Sequence, residues 1–202
     1  MPPSAWSILN GSYYTIHHRL LQTIRLTPTS YIVLGLIERV GEATPYELKG
    51  LVAASIGNFW SLQHAQLYTE PERLTRAGHL RETRERGGRR RKRYKLTAAG
   101  RQALRAWVSE PTDELPELRD VALLKLFFDA DPAPLAAAQL AAHRAKLREY
   151  EQLARGAGED ASSGKLATLQ AGIAHEREWV RYWQRLRDRR RRAGDGGGPA
   201  AE

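Results

Sequence analysis

Hydrophobic positions recur along most of this chain at helical spacing and switch to strict alternation only once. Tyr13, Ile16, Leu20 and Ile24 fall three or four apart, which predicts a short helix. Thr27-Pro28 marks the next start, with threonine as cap and proline at the first helical position. Tyr31, Val33, Leu34, Ile37 and Val40 make this a mostly buried helix, and Gly41 suits its left-handed end. Thr44-Pro45-Tyr46-Glu47 is a capping box, in which Thr and Glu three residues apart each satisfy the other's backbone N–H. That helix is expected to continue through Tyr46, Leu48, Leu51, Val52 and Ile56 and to end at Gly57. A third helix is predicted from about Ser61, with Trp60, Leu67, Leu74 and Gly78 on one face and His64 and Pro71 flanking it. Ser61, Leu62, Ala65, Gln66, Thr69 and Arg73 fall on the opposite face.

The alternation follows. Leu80, Glu82 and Arg84 alternate, Gly87-Gly88 permits a tight turn, and Lys92, Tyr94 and Leu96 alternate back, which predicts a β-hairpin. Thr97 caps a fourth helix carrying Leu104, Trp107 and Val108, stopped before Pro111. Three helices, a hairpin and one more helix, in that order, predict a winged helix-turn-helix over residues 26–110, after an extension at 1–25.

Residues 111–116 read as a linker, and Leu118 to Phe128 as a compact apolar helix. Asp131-Pro132 starts a long helix striped by Ala136, Leu140, His143, Leu147, Tyr150 and Ala154. A loop from Gly156 to Gly164 leads into a return helix striped by Leu166, Leu169, Ile173, Trp179, Trp183 and Leu186. The expectation is an antiparallel helical hairpin over residues 117–192, followed by a glycine-rich disordered tail at 193–202. The fold class is thus mainly α with one small hairpin. So small a subdomain leaves apolar surface exposed when alone. Homodimerisation through Leu140, Leu147, Tyr150, Ile173, Trp179, Trp183 and Leu186 is the expected remedy.

Charge changes the picture more than composition does. The net charge is +9, and between His79 and Lys95 nine basic residues face only Glu82 and Glu85. Such concentration points to a polyanionic partner rather than to general solubility. There is no cysteine, which removes disulfides, thiolate metal sites and cysteine nucleophiles together. The longest apolar run, Tyr31 to Ile37, is too short to span a bilayer, and nothing at the N-terminus reads as a secretory signal. A cytoplasmic protein without membrane partner is the expectation. His17-His18 has no further ligands at metal spacing, no P-loop, dinucleotide fingerprint or nucleophile elbow is present, and Glu176 and Glu178 read as ordinary surface pairing among arginines. No metal, cofactor or enzymatic activity is expected.

Several stretches resemble regulators of the PadR family. They are Leu26 to Ile37, then Tyr46-Glu47-Leu48, then Gln66-Leu67-Tyr68 with Leu74 and Gly78, then Tyr94 to Gly100, and finally Arg119-Asp120 with Leu124 to Phe128. The resemblance implies a homodimeric repressor that leaves its double-stranded DNA operator when a small-molecule effector binds, the C-terminal arm supplying dimer contacts. Residues 1–25 precede the usual family start. Pro71 stands where the family carries an apolar helix residue; a mid-helix proline costs about 3 kcal/mol, so a kink or an early end is expected.

A winged helix lays its third helix in the major groove. Gln63 and Gln66 offer amides that match an adenine edge, while Ser61, Tyr68 and Thr69 offer hydroxyls and Arg73 a guanidinium. His64 is either a contact or a packing residue, and Gln66 either a contact or a solvated side chain. In the wing, Arg89, Arg90, Arg91, Lys92 and Arg93 are either a solvated run or a phosphate-binding tip; their mutual repulsion favours the second. Arg189 to Arg192 end a helix, where cations complement the macrodipole or add a second nucleic-acid contact. Trp60, Trp107, Trp179 and Trp183 are core residues, or one or two of them line an effector pocket. The alternative function is a winged-helix module that binds protein and uses the basic wing only for solubility.

Overall fold

The computed structural model describes residues 24–84, 90–158 and 162–195, and divides into two compact units, 1–114 and 115–202. The helix expected from Tyr13 lies outside the described residues, save that Ile24 packs against the N-terminal core.

In the N-terminal unit, helix α1 (Pro28–Val40) begins where Thr27 gives its backbone N–H to Ser30 Oγ at 2.8 Å. Val33, Leu34, Leu36 and Ile37 face the core, whereas Val40 is exposed. Gly41 ends the helix at φ 82°, a left-handed conformation that side chains with a Cβ resist. Helix α2 (Pro45–Ala53) carries the expected capping box: Thr44 N–H donates to Glu47 Oε2 at 2.7 Å and Glu47 N–H to Thr44 Oγ1 at 3.2 Å. It stops before Ile56, which begins a single 3₁₀ turn, Ile56–Asn58. Ser55 Oγ donates to the Leu51 carbonyl at 2.6 Å and Ser55 N–H to Val52 O at 3.1 Å, so the last turn closes on itself.

Helix α3 spans Gln66–Arg76, five residues later than the start expected at Ser61. The residue three beyond Ser61 is His64, which lacks the carboxylate or amide oxygen of a capping box. Gln66 has one, and its Oε1 accepts from Gln63 N–H at 3.3 Å in the turn leading into the helix, while Ala65, the residue before α3, makes no side-chain cap. Nor does the helix end early at Pro71. The proline lies inside it, fully buried, and the helix runs on to Arg76. Strands β1 (Leu80–Arg84) and β2 (Lys92–Leu96) pair antiparallel, Leu80 opposite Leu96, Glu82 opposite Tyr94, Arg84 opposite Lys92. On its other side β2 is bridged by Ala43, which exchanges both backbone hydrogen bonds with Tyr94 at 2.9–3.0 Å.

Helix α4 (Ala98–Ser109) is capped by Thr97, whose Oγ1 accepts from Gly100 N–H at 3.1 Å and lies 2.7 Å from the Gly78 carbonyl, to which it donates. A Cβ at Gly100 would sit 2.2 Å from the His79 carbonyl oxygen, so only glycine allows this approach. The core gathers Val33, Leu34, Ile37, Leu48, Leu67, Leu74, Leu80, Tyr94 and Leu96 from five elements. Trp107 stacks on Tyr31 at 4.5 Å but remains 44% exposed.

In the C-terminal unit, α5 is Val121–Phe127, shorter than expected because Asp120 caps it, its Oδ1 accepting from Ala122 N–H at 2.7 Å. Helices α6 (Pro132–Gly156) and α7 (Ser163–Asp195) form the expected antiparallel hairpin, with Ala122, Ala136, Leu140 and Trp183 at its core. Helix α7 continues past Ala193, where a disordered tail was expected to begin; 196–202 lie outside the described residues.

Candidate nucleic-acid interface

The surface of α3 is set by which of its residues the core takes. Leu67, Glu70, Pro71, Leu74 and Ala77 are buried around one side, leaving Tyr68, Thr69, Glu72 and Arg76 exposed on the other and Gln66 exposed at the start. Ser61, Gln63 and His64 are exposed too, but in the segment leading into α3 rather than on it. His64 lines a shallow cleft with Trp60, Ser61, Leu62, Leu67 and Lys49.

Arg73 is not on that open face. Its guanidinium forks onto Glu70 (Nε–Oε2 2.8 Å, Nη2–Oε1 2.6 Å), and Nη2 also donates to Ser30 Oγ at 2.9 Å and Nη1 to the Arg25 carbonyl at 3.2 Å. These bonds turn it inward, where it braces α3 against the start of α1. Glu70, its partner, is buried. Most of the Arg73 guanidinium expected for DNA is thus engaged within the fold. Sequence spacing missed Glu72 and Arg76, although with Thr69 they stand three and seven residues apart, the signature of one helix face.

Hydrogen bonds sort the wing cations into two sets. Lys92 Nζ reaches Glu72 Oε1 on α3 at 2.5 Å and lies 3.6 Å from Glu82 Oε2 on β1. Arg93 Nε donates to Glu42 at 2.9 Å, and its Nη1 lies 3.6 Å from Glu47. Both are thus neutralised from within. The Glu47 carboxyl is held below the usual carboxylate range, first by the Thr44 N–H and then by Arg93 and Arg91. The Glu72 carboxyl is lowered first by its hydrogen bond with Lys92 and then by that cation's charge, Arg76 adding to it. Arg90 and Arg91 are exposed and make no ion pair among the described residues; Arg90 adopts φ 45°, at the turn end of β2. Arg89 and the Gly87-Gly88 turn lie outside the described residues. Tyr94, fully buried beneath the wing, points its hydroxyl toward Glu82, and burial pushes its phenol up to about 12.

In the C-terminal unit, Leu140, Tyr150 and Trp183 are buried within the hairpin of one chain, and Leu147, Ile173, Trp179 and Leu186 are half-buried there. Leu140 and Trp183 pack the hairpin core with Trp179 and Leu186 against them, and the Tyr150 ring lies against Gly172 of α7. The exposed apolar row is instead on and beside α5, where Val121 is 67%, Leu124 56%, Phe127 79% and Phe128 72% exposed. Glu176, expected at the surface, is buried, and its Oε2 meets His143 Nδ1 across the hairpin at 2.7 Å, with Trp179 stacked on the imidazole. Glu178 does pair at the surface, with Arg181. Among the described residues no group of three or more histidines and carboxylates could hold a metal ion, and no helix is long and apolar enough to cross a membrane.

Comparison with known proteins agrees with this arrangement. Residues 33–106 match the transcriptional regulator PadR-like family, and residues 118–189 match the virulence activator alpha C-terminal family. The negative transcriptional regulator PadR of Bacillus subtilis (strain 168) is 28% identical over 171 residues, covering 77% of this chain and 93% of its own. The crystal structure of Bacillus subtilis PadR with operator DNA superimposes with a TM-score of 0.71 at 24% identity, covering 82% of this chain and 99% of that one. The same protein with p-coumaric acid gives 0.65 at 25% identity, covering 80% and 96%. With both units matched in order, the chain is similar along most of its length to transcriptional regulators of the PadR-like family.

Proposed function

We propose that this chain is a cytoplasmic repressor that binds double-stranded operator DNA as a homodimer and releases it when a small organic effector binds. One observation carries the DNA-binding part: the ion pair from Lys92 to Glu72 sets the basic wing beside the exposed face of α3. Groove-reading polar groups (Gln66, Tyr68, Thr69, Arg76) and phosphate-seeking cations (Arg90, Arg91) then share one surface. Ser61, Gln63 and His64 flank it at the entry to α3. The B. subtilis relative solved with operator DNA supports the same reading.

Dimerisation is supported by the exposed row Val121, Leu124, Phe127 and Phe128, since contiguous apolar surface of this kind marks association sites. A dimer presents two copies of the α3–wing surface and calls for two half-sites related by a two-fold axis. The effector is supported by the relative solved with p-coumaric acid.

Selection of bound sites from random duplexes at stated salt, followed by anisotropy titration, tests the reading. Affinity should fall steeply with salt, and Arg90→Ala or Arg91→Ala should each lower the log–log slope by about 1. Absent or salt-insensitive duplex binding would favour the protein-binding module.

A further inference from the structure

Glu72 is a carboxylate in the middle of a surface otherwise suited to a polyanion. It stands three residues after Thr69 and four before Arg76 on the exposed side of α3, and its side chain is 48% exposed. Facing phosphates, an uncompensated carboxylate there repels every duplex alike. It is compensated by the wing. Lys92 Nζ lies 2.5 Å away, and the same ammonium is 3.6 Å from Glu82, which in turn accepts from Arg84 Nε at 3.2 Å. The result is a chain of pairs from the recognition helix through β2 to β1.

We infer that Glu72 is a positioning and specificity-determining residue: as an internal counter-ion it sets the wing against α3 and keeps Lys92 off the phosphate backbone. The inference rests on the DNA-binding reading above. Phosphate contacts add affinity without sequence information, so withholding one cation lowers binding to random duplex more than it lowers the advantage of the operator. Specificity is a difference of affinities, and a carboxylate inside the contact surface raises that difference by penalising loosely seated complexes.

The test uses the full chain with a random-sequence duplex and a selected operator duplex, titrated from 50 to 200 mM salt. Glu72→Gln keeps the side-chain shape, frees Lys92 and removes the repulsion. Random-duplex binding should tighten, and its log–log slope should steepen by about 0.9, equivalent to roughly 3-fold more loss across that salt range. The ratio of operator to random affinity should fall. Lys92→Gln alone leaves Glu72 uncompensated and should weaken binding to both duplexes and lower the slope by about 0.9, and in the Glu72→Gln background it should restore the native slope. An unchanged slope and ratio in Glu72→Gln, or a slope still steepened when both substitutions are combined, overturns the inference. In both cases a native slope that still falls with Arg91→Ala leaves the DNA-binding reading standing; no duplex binding by the native chain overturns both.

Discussion

Arg73→Ala separates structure from recognition at the position where sequence spacing and geometry disagree. The substitution deletes two bonds to Glu70, one to Ser30 Oγ and one to the Arg25 carbonyl. Removing one partner of a buried ion pair costs about 3–5 kcal/mol, because the other charge stays buried without compensation. Here the Glu70 side chain is only 11% exposed, but that of Arg73 is 31% exposed, and water screens part of the loss. A cost of about 2–3 kcal/mol follows after that discount. With a urea dependence of about 2 kcal/mol per molar for a unit this size, the midpoint of the winged unit should fall by roughly 1–1.5 M. Below that midpoint, the salt dependence of duplex binding should keep its native slope, since four of the five Arg73 N–H donors are already engaged within the fold. Replacing both partners, Glu70→Met with Arg73→Met, should recover most of the stability, as paired apolar substitutions of buried ions often do. A midpoint within about 0.2 M of native, or a slope reduced by about 1, would refute the brace.

Three further outcomes are expected. Gly100→Ala drives a methyl against the His79 carbonyl, and backbone cannot yield cheaply; the winged unit should lose about 1–3 kcal/mol in a urea titration despite alanine's better helix propensity. Tyr94 has a phenol raised to about 12, so its neutral form is favoured by folding; stability is fully present below the unfolded value near pH 10 and is lost as pH rises from there through 12. Absorbance at the phenolate band should show one late tyrosine that Tyr94→Phe removes, and a Tyr94→Phe titration identical to native would count against it. Phe127→Ser takes the most exposed ring off the α5 row, so sedimentation should show the proposed dimer shifted toward monomer with helical content by circular dichroism unchanged.

Local chemistry in the chain foretold much of this fold. Thr27, Thr44, Thr97 and Asp131 all cap helices at the expected places, and Gly41 ends α1, because each acts on a backbone only a few residues away. The alternation from Leu80 to Leu96 foretold the hairpin for the same reason. The start of α3 was not legible, since the helix begins after Ala65, which has no side-chain cap to mark it. Nor was the fate of the cations. Arg73 is drawn inward by Ser30, 43 residues away, and Lys92 and Arg93 are claimed by carboxylates 20 and 51 residues away. Periodicity shows which way a side chain leaves its helix; the pairing it finds across the fold is decided by what other elements bring there. Glu176 is the same case in the arm, buried because His143 lies opposite it on α6.

The bridge from Ala43 to Tyr94 has a consequence for the chain's behaviour in company. It closes the middle of one flank of β2, at Tyr94, while β1 covers the other, so β2 offers a stranger no continuous open edge. The exposed margin is then the far side of β1, five residues long, with the charged, outward Arg81 and Arg84 upon it. Short margins bearing like charges resist edge-to-edge zipping. Two copies brought together elsewhere along their length can crowd their wings without the sheets fusing into a continuous ribbon.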